Sequence, residues 1–305
     1  MTEASRDVSG MIELVAGEQR AVVLPKLGAA LGRWQFRGKD VFLPVANPAL
    51  VAQRGEAVAA YPLVPYSNRI AQGRFAFEGR EYRLAPNMAG DSSAIHGNGW
   101  EREWTVTHRT DRDVVLVLEH VPQADDPQWP FAYRAELSYG LRPDGLEVRL
   151  VVENRDAGRQ PVGLGFHPFL AAKGAATLAF EAQDVWLTTP DALPSRRVPC
   201  EGEWAFGRPV DVHARAIDNC FSGFGGRAVL ANRETGLSVE VEADRLFGHV
   251  VVFTAPDSPF VAVEPVTNMT DAINHPEIAD RGLHVLEPEA QVGGSMRFRV
   301  EKVDG

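Results

Sequence analysis

The sequence predicts an all-β protein built as a large antiparallel sandwich, and three observations carry that reading. Short segments alternate apolar and polar residues at period two, as in Ala135–Tyr139 and Leu237–Glu242, and turn formers bound them. The 28 Gly and 21 Pro are spread along the whole chain, leaving only Pro48–Tyr61 and Asp271–Arg281 as modest helix candidates. Strand-like segments recur every eight to twelve residues or so, without the fixed period of a propeller or solenoid.

Individual elements follow from local chemistry. Between Tyr133–Leu141 and Leu146–Glu153 lies Arg142-Pro143-Asp144-Gly145. Pro presets φ and Asp-Gly accepts positive φ, so the segment predicts a hairpin. Glu78-Gly79 predicts a second hairpin, joining Arg74–Phe77 to Arg80–Leu84. No linker, low-complexity tract or change of composition divides the 305 residues, so one domain over 1–305 is expected, with residues 1–10 frayed. A hydrophobic share of 45 % supports a sizeable core.

Charge and composition narrow the partners. A net charge of −10 with no basic stripe opposes nucleic acid or an anionic membrane, because nothing would release counterions from a polyanion. The opening residues lack the apolar run of a signal peptide, and no eighteen consecutive apolar residues occur. A cytoplasmic location is expected. Cys200 and Cys220 are too few for a disulfide framework and read as reduced structural thiols.

Five segments could carry chemistry. In Tyr66–Phe75, Asn68 and Arg69 sit in a polar loop before a strand, and the Arg69 guanidinium offers a rigid fork to hydroxyls or a carboxylate. In Ile95–Trp100, two glycines let the backbone approach a ligand and turn His96 toward a pocket. Trp100 and Trp104 supply flat faces on which a pyranose can stack. His167 stands between an apolar strand and Pro168, which is expected to end the ladder, and its imidazole suits acid–base work near neutrality. Asp218 occupies a turn-like stretch before Phe221, where it could accept from sugar hydroxyls or simply form an Asx-turn. In Ser258–Pro265 a continuous apolar strand ends in Glu264, locked by Pro265; burial there would favour its neutral form and raise its pKa toward that of a useful base. Each of these residues also has an ordinary structural reading as a core, capping or ion-paired group.

Taken together and in order, the residues resemble the aldose 1-epimerase, or galactose mutarotase-like, family. The marks are Asn68-Arg69-Ile70 with Gly73 and Phe75, His96-Gly97, His167-Pro168-Phe169, Asp218 with Phe221, and Glu264-Pro265 followed by Asp271-Ala272-Ile273-Asn274. The resemblance runs from about residue 10 to residue 300 and implies a β-supersandwich with an open cleft. It implies that Glu264 is the base and His167 the acid in opening and closing a sugar ring. It also implies that Arg69, His96 and Asp218 bind substrate, with Asn68, Trp100 and Phe221 beside them. No cofactor or metal is implied, and the expected partner is a small sugar, bound by a monomer or homodimer. The sequence departs from galactose-specific members around the acid, where Phe166 and Pro168-Phe169-Leu170 replace their Asn and Tyr-Phe-Asn. It is more similar to members acting on varied hexoses.

Three other readings stay open on sequence. A non-catalytic sugar-binding protein would keep the cleft without turnover. An epimerase for a phosphorylated or otherwise anionic sugar would need further basic groups in the cleft, with Arg74, Arg102 and Arg134 as candidates. A metal-dependent hydrolase would draw on His96, His167, His249 and Glu264, although no close His pair is present.

Overall fold

A computed structural model describes residues 10–45, 57–123 and 127–303. Among these residues, helical structure is confined to four three-residue 3-10 turns, Ala71–Gly73, Gly99–Glu101, Gly202–Trp204 and Ala272–Asn274. The helix considered over Asp271–Arg281 is therefore only the turn Ala272–Asn274, because Asp271 enters it with a left-handed φ of 57°. Of the other candidate, residues 48–56 lie outside the described residues, and its end belongs to the strand Ala60–Leu63. Except for Gly10, the segment expected to fray also lies outside them.

Two large antiparallel sheets make up most of the described structure, with three two-stranded sheets beside them. The first has eleven strands, in spatial order Ile12–Ala16, Gln19–Leu24, Ala30–Phe36, Lys39–Phe42, Gly165–Ala171, Phe260–Val266, His249–Thr254, Ile217–Ser222, Asp184–Thr188 and Pro194–Pro199, with Ala60–Leu63 added beside Gly165–Ala171 and Ala30–Phe36. The second has nine, centred on Tyr133–Arg142, Gly145–Asn154, Gln291–Lys302 and Leu237–Ala243. Both hairpins form where the sequence places them: Arg142 pairs with Gly145, and Phe77 pairs with Arg80 across Glu78 and Gly79 at φ 49° and 75°. Two successive positive φ values fit the right-handed strand twist.

Period-two alternation turns one face of each sheet onto a shared core. Phe42 and Phe166 from the first sheet meet Phe298 of the second edge-on or tilted, with ring centroids 5.1 and 5.8 Å away. Trp34, Gln19 and Tyr139, polar groups drawn into this layer, are satisfied. Trp34 Nε1 donates to Gln19 Oε1 at 2.8 Å, Gln19 Nε2 to the Arg142 carbonyl at 2.9 Å, and Tyr139 Oη to the Ala29 carbonyl at 2.8 Å. Unpaired buried donors would cost about 1–3 kcal/mol each. The other face of the eleven-stranded sheet carries a second apolar cluster, which includes Tyr61, Trp100, Phe169, Trp186, Cys220 and Val251. Cys200 and Cys220 are free thiols.

Three local expectations are corrected. Pro168 does not end its strand, which continues to Ala171. The ladder to Phe260–Val266 skips from Gly165↔Val266 to Phe169↔Ala262, while the other edge holds His167↔Tyr61 and Pro168↔Ala60, so the missing N–H is tolerated. Glu264 likewise lies within a strand that runs on to Val266, where Pro265 pairs with Val250. Asp218 belongs to the strand Ile217–Ser222 rather than to a turn.

Candidate active site

Two adjacent strands of the first sheet bring His167 and Glu264 together. The pairs Gly165↔Val266 and Phe169↔Ala262 bracket them symmetrically, so antiparallel register sets the two side chains across from one another on one face. His167 Nε2 lies 3.2 Å from Glu264 Oε1, and both residues are buried. Tyr61 stacks on the imidazole at 4.7 Å and 23°, Phe169 lies 4.6 Å away by centroids, and His96 approaches edge-on at 5.5 Å.

Burial pushes the Glu264 carboxyl well above the usual carboxylate range; nearby Asp218 adds to the rise and Arg69 opposes it. Its Oε2 has no hydrogen-bond partner among the described residues. Asp218 is raised too, chiefly by burial and further by Asp91, with Arg69 opposing. A carboxylate held at a high pKa is a stronger base once ionised.

A loop framework supplies the opposite wall. His96 and Asn68 both adopt left-handed backbone, φ 62° and 58°, and are locked reciprocally. His96 N–H donates to the Asn68 carbonyl at 2.9 Å, and Asn68 N–H donates to His96 Nδ1 at 3.2 Å. An N–H can only donate, so Nδ1 is the acceptor and the proton of the neutral ring sits on Nε2. Gly97 follows at φ 71°, where a Cβ would collide with the Val64 carbonyl. Asn68 Oδ1 accepts from Arg69 N–H at 2.8 Å. The Asp271–Asn274 turn then pins Arg69 from below: Asp271 N–H donates to the Arg69 carbonyl at 2.9 Å, and Asp271 Oδ1 accepts from Ala71 N–H at 3.0 Å and Asn274 Nδ2 at 2.7 Å. Ser67 Oγ donates to Asn268 Oδ1 at 2.9 Å. The segment following Glu264 thus anchors the arginine loop to the strand that bears the carboxylate.

These groups enclose a cavity of about 200 Å³ whose walls include Asn68, Arg69, His96, His167, Asp218 and Glu264. That is smaller than the roughly 300–1,000 Å³ of sites for larger organic ligands. Six residues singled out in the sequence therefore converge. Trp100 and Phe221 do not. The Gly99–Glu101 turn buries Trp100 behind Tyr61, and its Nε1 donates to the Gly97 and Ile95 carbonyls at 2.9 and 3.3 Å. Phe221 lies one residue out of phase with Cys220 and packs in the inter-sheet core against Phe180, Phe206 and Trp204. The apolar face of the cavity comes instead from Phe169, Phe253 and Phe260. Trp100→Phe is accordingly expected to leave ligand affinity within about two-fold while lowering Tm, since it removes backbone hydrogen bonds worth about 0.5–1.5 kcal/mol each. Thermal denaturation beside a binding titration checks this.

The cavity also bears on the alternatives. Arg69 is the only Arg or Lys among the described residues lining it. Arg74 lies in a separate hollow with Arg83, and Arg134 pairs with Glu119 and Glu136. No group of three or more His, Cys, Asp or Glu among the described residues is placed to hold a metal ion, and His249 Nδ1 is turned onto the Thr267 carbonyl at 2.9 Å. No described helix is long and apolar enough to cross a membrane.

Comparison with known proteins places the chain in a family. Residues 10–299 match the family model described as aldose 1-epimerase. YphB of Escherichia coli K12, an uncharacterised protein, is 28 % identical over 268 residues, covering 85 % of this chain and 89 % of its own. A solved structure from the same organism, provisionally assigned as an aldose 1-epimerase, superposes with a TM-score of 0.85 at 26 % identity, over 96 % of this chain and 99 % of that one. A galactose mutarotase-like protein from Clostridium acetobutylicum shares the fold, with a TM-score of 0.79 at 19 % identity over 96 % and 95 % of the two chains. The all-β sandwich is thus a galactose mutarotase-like fold, and the chain belongs to the aldose 1-epimerase family.

Proposed function

We propose that the protein is a mutarotase that interconverts the α and β anomers of a free, uncharged aldose. The observation that carries this is the 3.2 Å separation of His167 and Glu264 on one face of the sheet. Opening an aldopyranose requires a base at the anomeric O1–H and an acid at the ring oxygen O5, two oxygens bonded to the same carbon. An acid and a base side by side match that demand. Glycoside hydrolysis instead needs two carboxyl groups about 5–9.5 Å apart on either side of the bond.

In the forward step Glu264 takes the proton from O1 as the C1–O1 bond becomes a carbonyl. The C1–O5 bond breaks, and its electron pair is protonated by His167 to give the C5 hydroxyl. Rotation about C1–C2 presents the other carbonyl face. O5 then attacks C1, His167 recovers its proton from O5, and the new O1 takes the proton held by Glu264. Atoms and charge balance without an external reactant. His96, fixed as an Nε2–H donor, together with Arg69 and Asp218, holds the flanking hydroxyls. Paired acid and base catalysis contributes about 10²–10⁴-fold for each group, which is adequate for a reaction that sugars undergo unaided.

A neutral substrate follows from charge. Arg69 is already committed to Asp91 at 2.8 Å and stands 3.9 Å from Asp218, so the site has no uncompensated cation among its described lining residues for a phosphate or sulfonate. Polarimetry of freshly dissolved α-glucose, α-galactose and their 6-phosphates tests the proposal. Accelerated equilibration of at least one neutral sugar, with phosphorylated sugars slower, is expected. Acceleration of phosphorylated sugars alone would transfer the assignment to an anionic-sugar epimerase, and binding without acceleration would leave a sugar-binding protein.

A further inference from the structure

Arg69 is held by a carboxylate that does not itself reach the ligand. Arg69 Nε donates to Asp91 Oδ2 at 2.8 Å, and both side chains are 17 % exposed. The second oxygen of Asp91 is also engaged, accepting from Ser93 N–H at 2.8 Å, while Asp91 N–H donates to the Met88 carbonyl at 3.1 Å. The carboxylate is thus fixed by its own turn before it meets the arginine. Asp91 is not among the residues lining the cavity, whereas Met88 and Arg69 are.

The Nε–H bond lies in the guanidinium plane, so a short bond at Nε sets the orientation of that plane. The far end then faces the cleft, with Nη1 3.5 Å from Asn68 Oδ1 and 3.9 Å from Asp218 Oδ2. Asp91, Arg69 and Asp218 form a row of alternating charge, in which the near partner is well placed and the far one stands slightly too far for a strong bond. Removing the near partner leaves Arg69 free to swing onto Asp218 and occupy both groups at once.

The geometry points to Asp91 as a positioning residue that aims Arg69 at the substrate and keeps it from closing on Asp218, an assignment that rests on reading the cleft as a sugar site. It also has an electrostatic role. Asp91 offsets the charge of Arg69, which in turn lowers the pKa of Glu264. Neutralising Asp91 removes one negative charge from the row, whichever carboxylate Arg69 then meets, and moves the acidic limb of the pH–rate profile to lower pH.

The test compares Asp91→Asn, Arg69→Lys and the double variant, by steady-state mutarotation and by the ¹H–¹⁵Nε resonance of Arg69. For Asp91→Asn, KM should rise about ten-fold with kcat within about three-fold, as for loss of a charge-assisted hydrogen bond that positions a binding group. The acidic limb should move down in pH and the Nε–H proton should move upfield. In the Arg69→Lys background, which lacks the Nε fork, Asp91→Asn should add little, because coupled groups are not additive. An unchanged KM and Nε–H resonance, or an equal KM penalty with and without Arg69, would overturn the assignment. A fall in Tm with neither KM nor the pH limb moving would do the same, reducing Asp91 to a fold-supporting role. If the wild type turns over no sugar, the mutarotase reading fails by itself; Asp91 is then judged by the Nε–H resonance and by hexose dissociation constants from NMR titration.

Discussion

Glu264→Gln is expected to lower the rate of catalysed anomer exchange by about 10²–10⁴-fold while leaving the protein folded and able to bind sugar. Gln fills the same volume and keeps a polar group against His167 Nε2, but it cannot take the anomeric proton. The same substitution should raise stability at neutral pH. Burial lifts the Glu264 pKa in the native state, so the native protein holds a proton that the unfolded chain has lost. Between the ordinary glutamate value and the raised one, stability falls as pH rises, since the unfolded state binds fewer protons there. The variant lacks that decline. Its Tm should exceed that of the wild type above the raised pKa, and the difference should close as pH falls toward the ordinary glutamate range. For the wild type, kcat/KM should decline as pH drops through a value above the usual carboxylate range. A wild-type acidic limb at ordinary glutamate pH, or a Glu264→Gln variant that keeps its rate, would remove this residue from the base role.

His167→Asn should produce a second large loss, again about 10²–10⁴-fold in kcat, with KM changed by no more than about three-fold. The imidazole is held by rings, Tyr61 stacked at 4.7 Å and Phe169 at 4.6 Å, so its replacement removes the proposed acid while the proposed hydroxyl-binding groups stay in place. The contrast with His96 is informative. His96 is fixed as a donor through Asn68 and is assigned by the proposal to binding, so its replacement by Asn should act mainly on KM. Stopped-flow polarimetry at saturating and limiting sugar separates the two. A His167 variant with normal kcat and raised KM would exchange the assigned roles.

The fold was legible because its strands report themselves locally. Alternation in Ala135–Tyr139 and Leu237–Glu242 and the turns at Pro143-Asp144 and Glu78-Gly79 need no tertiary information, and all appear where the sequence places them. Strand ends were less legible. Proline signals a stop, yet Pro168 and Pro265 both lie inside strands, because each strand is supported by a neighbour that one missing N–H does not unseat.

Within the candidate site, residue types and order pointed to Arg69, His96, His167, Asp218 and Glu264, which the fold brings to one cavity, while facing was harder to read. Trp100 and Phe221 carry the chemistry of sugar-stacking residues. A three-residue turn buries the first, however, and one step of strand phase sends the second into the inter-sheet core. Asp91, in Gly90-Asp91-Ser92-Ser93, looks like an ordinary turn aspartate. Its Oδ1 does make the local bond to Ser93, but the partner of Oδ2 lies 22 positions earlier in the chain, which local pattern cannot show.

The most direct measurement follows anomer exchange at equilibrium by two-dimensional NMR, using a hexose labelled with ¹³C at C1 and dissolved in H₂¹⁸O. The isotope shift at C1 reports any oxygen exchanged with solvent. Ring opening by the His167–Glu264 pair makes and breaks only the C1–O5 bond, so the protein should accelerate exchange between α and β signals with no ¹⁸O uptake beyond the spontaneous rate. Solvent oxygen entering at C1 with each inversion would show displacement by water, and no acceleration with any neutral hexose would show no turnover; either result would contradict the acid–base ring-opening account.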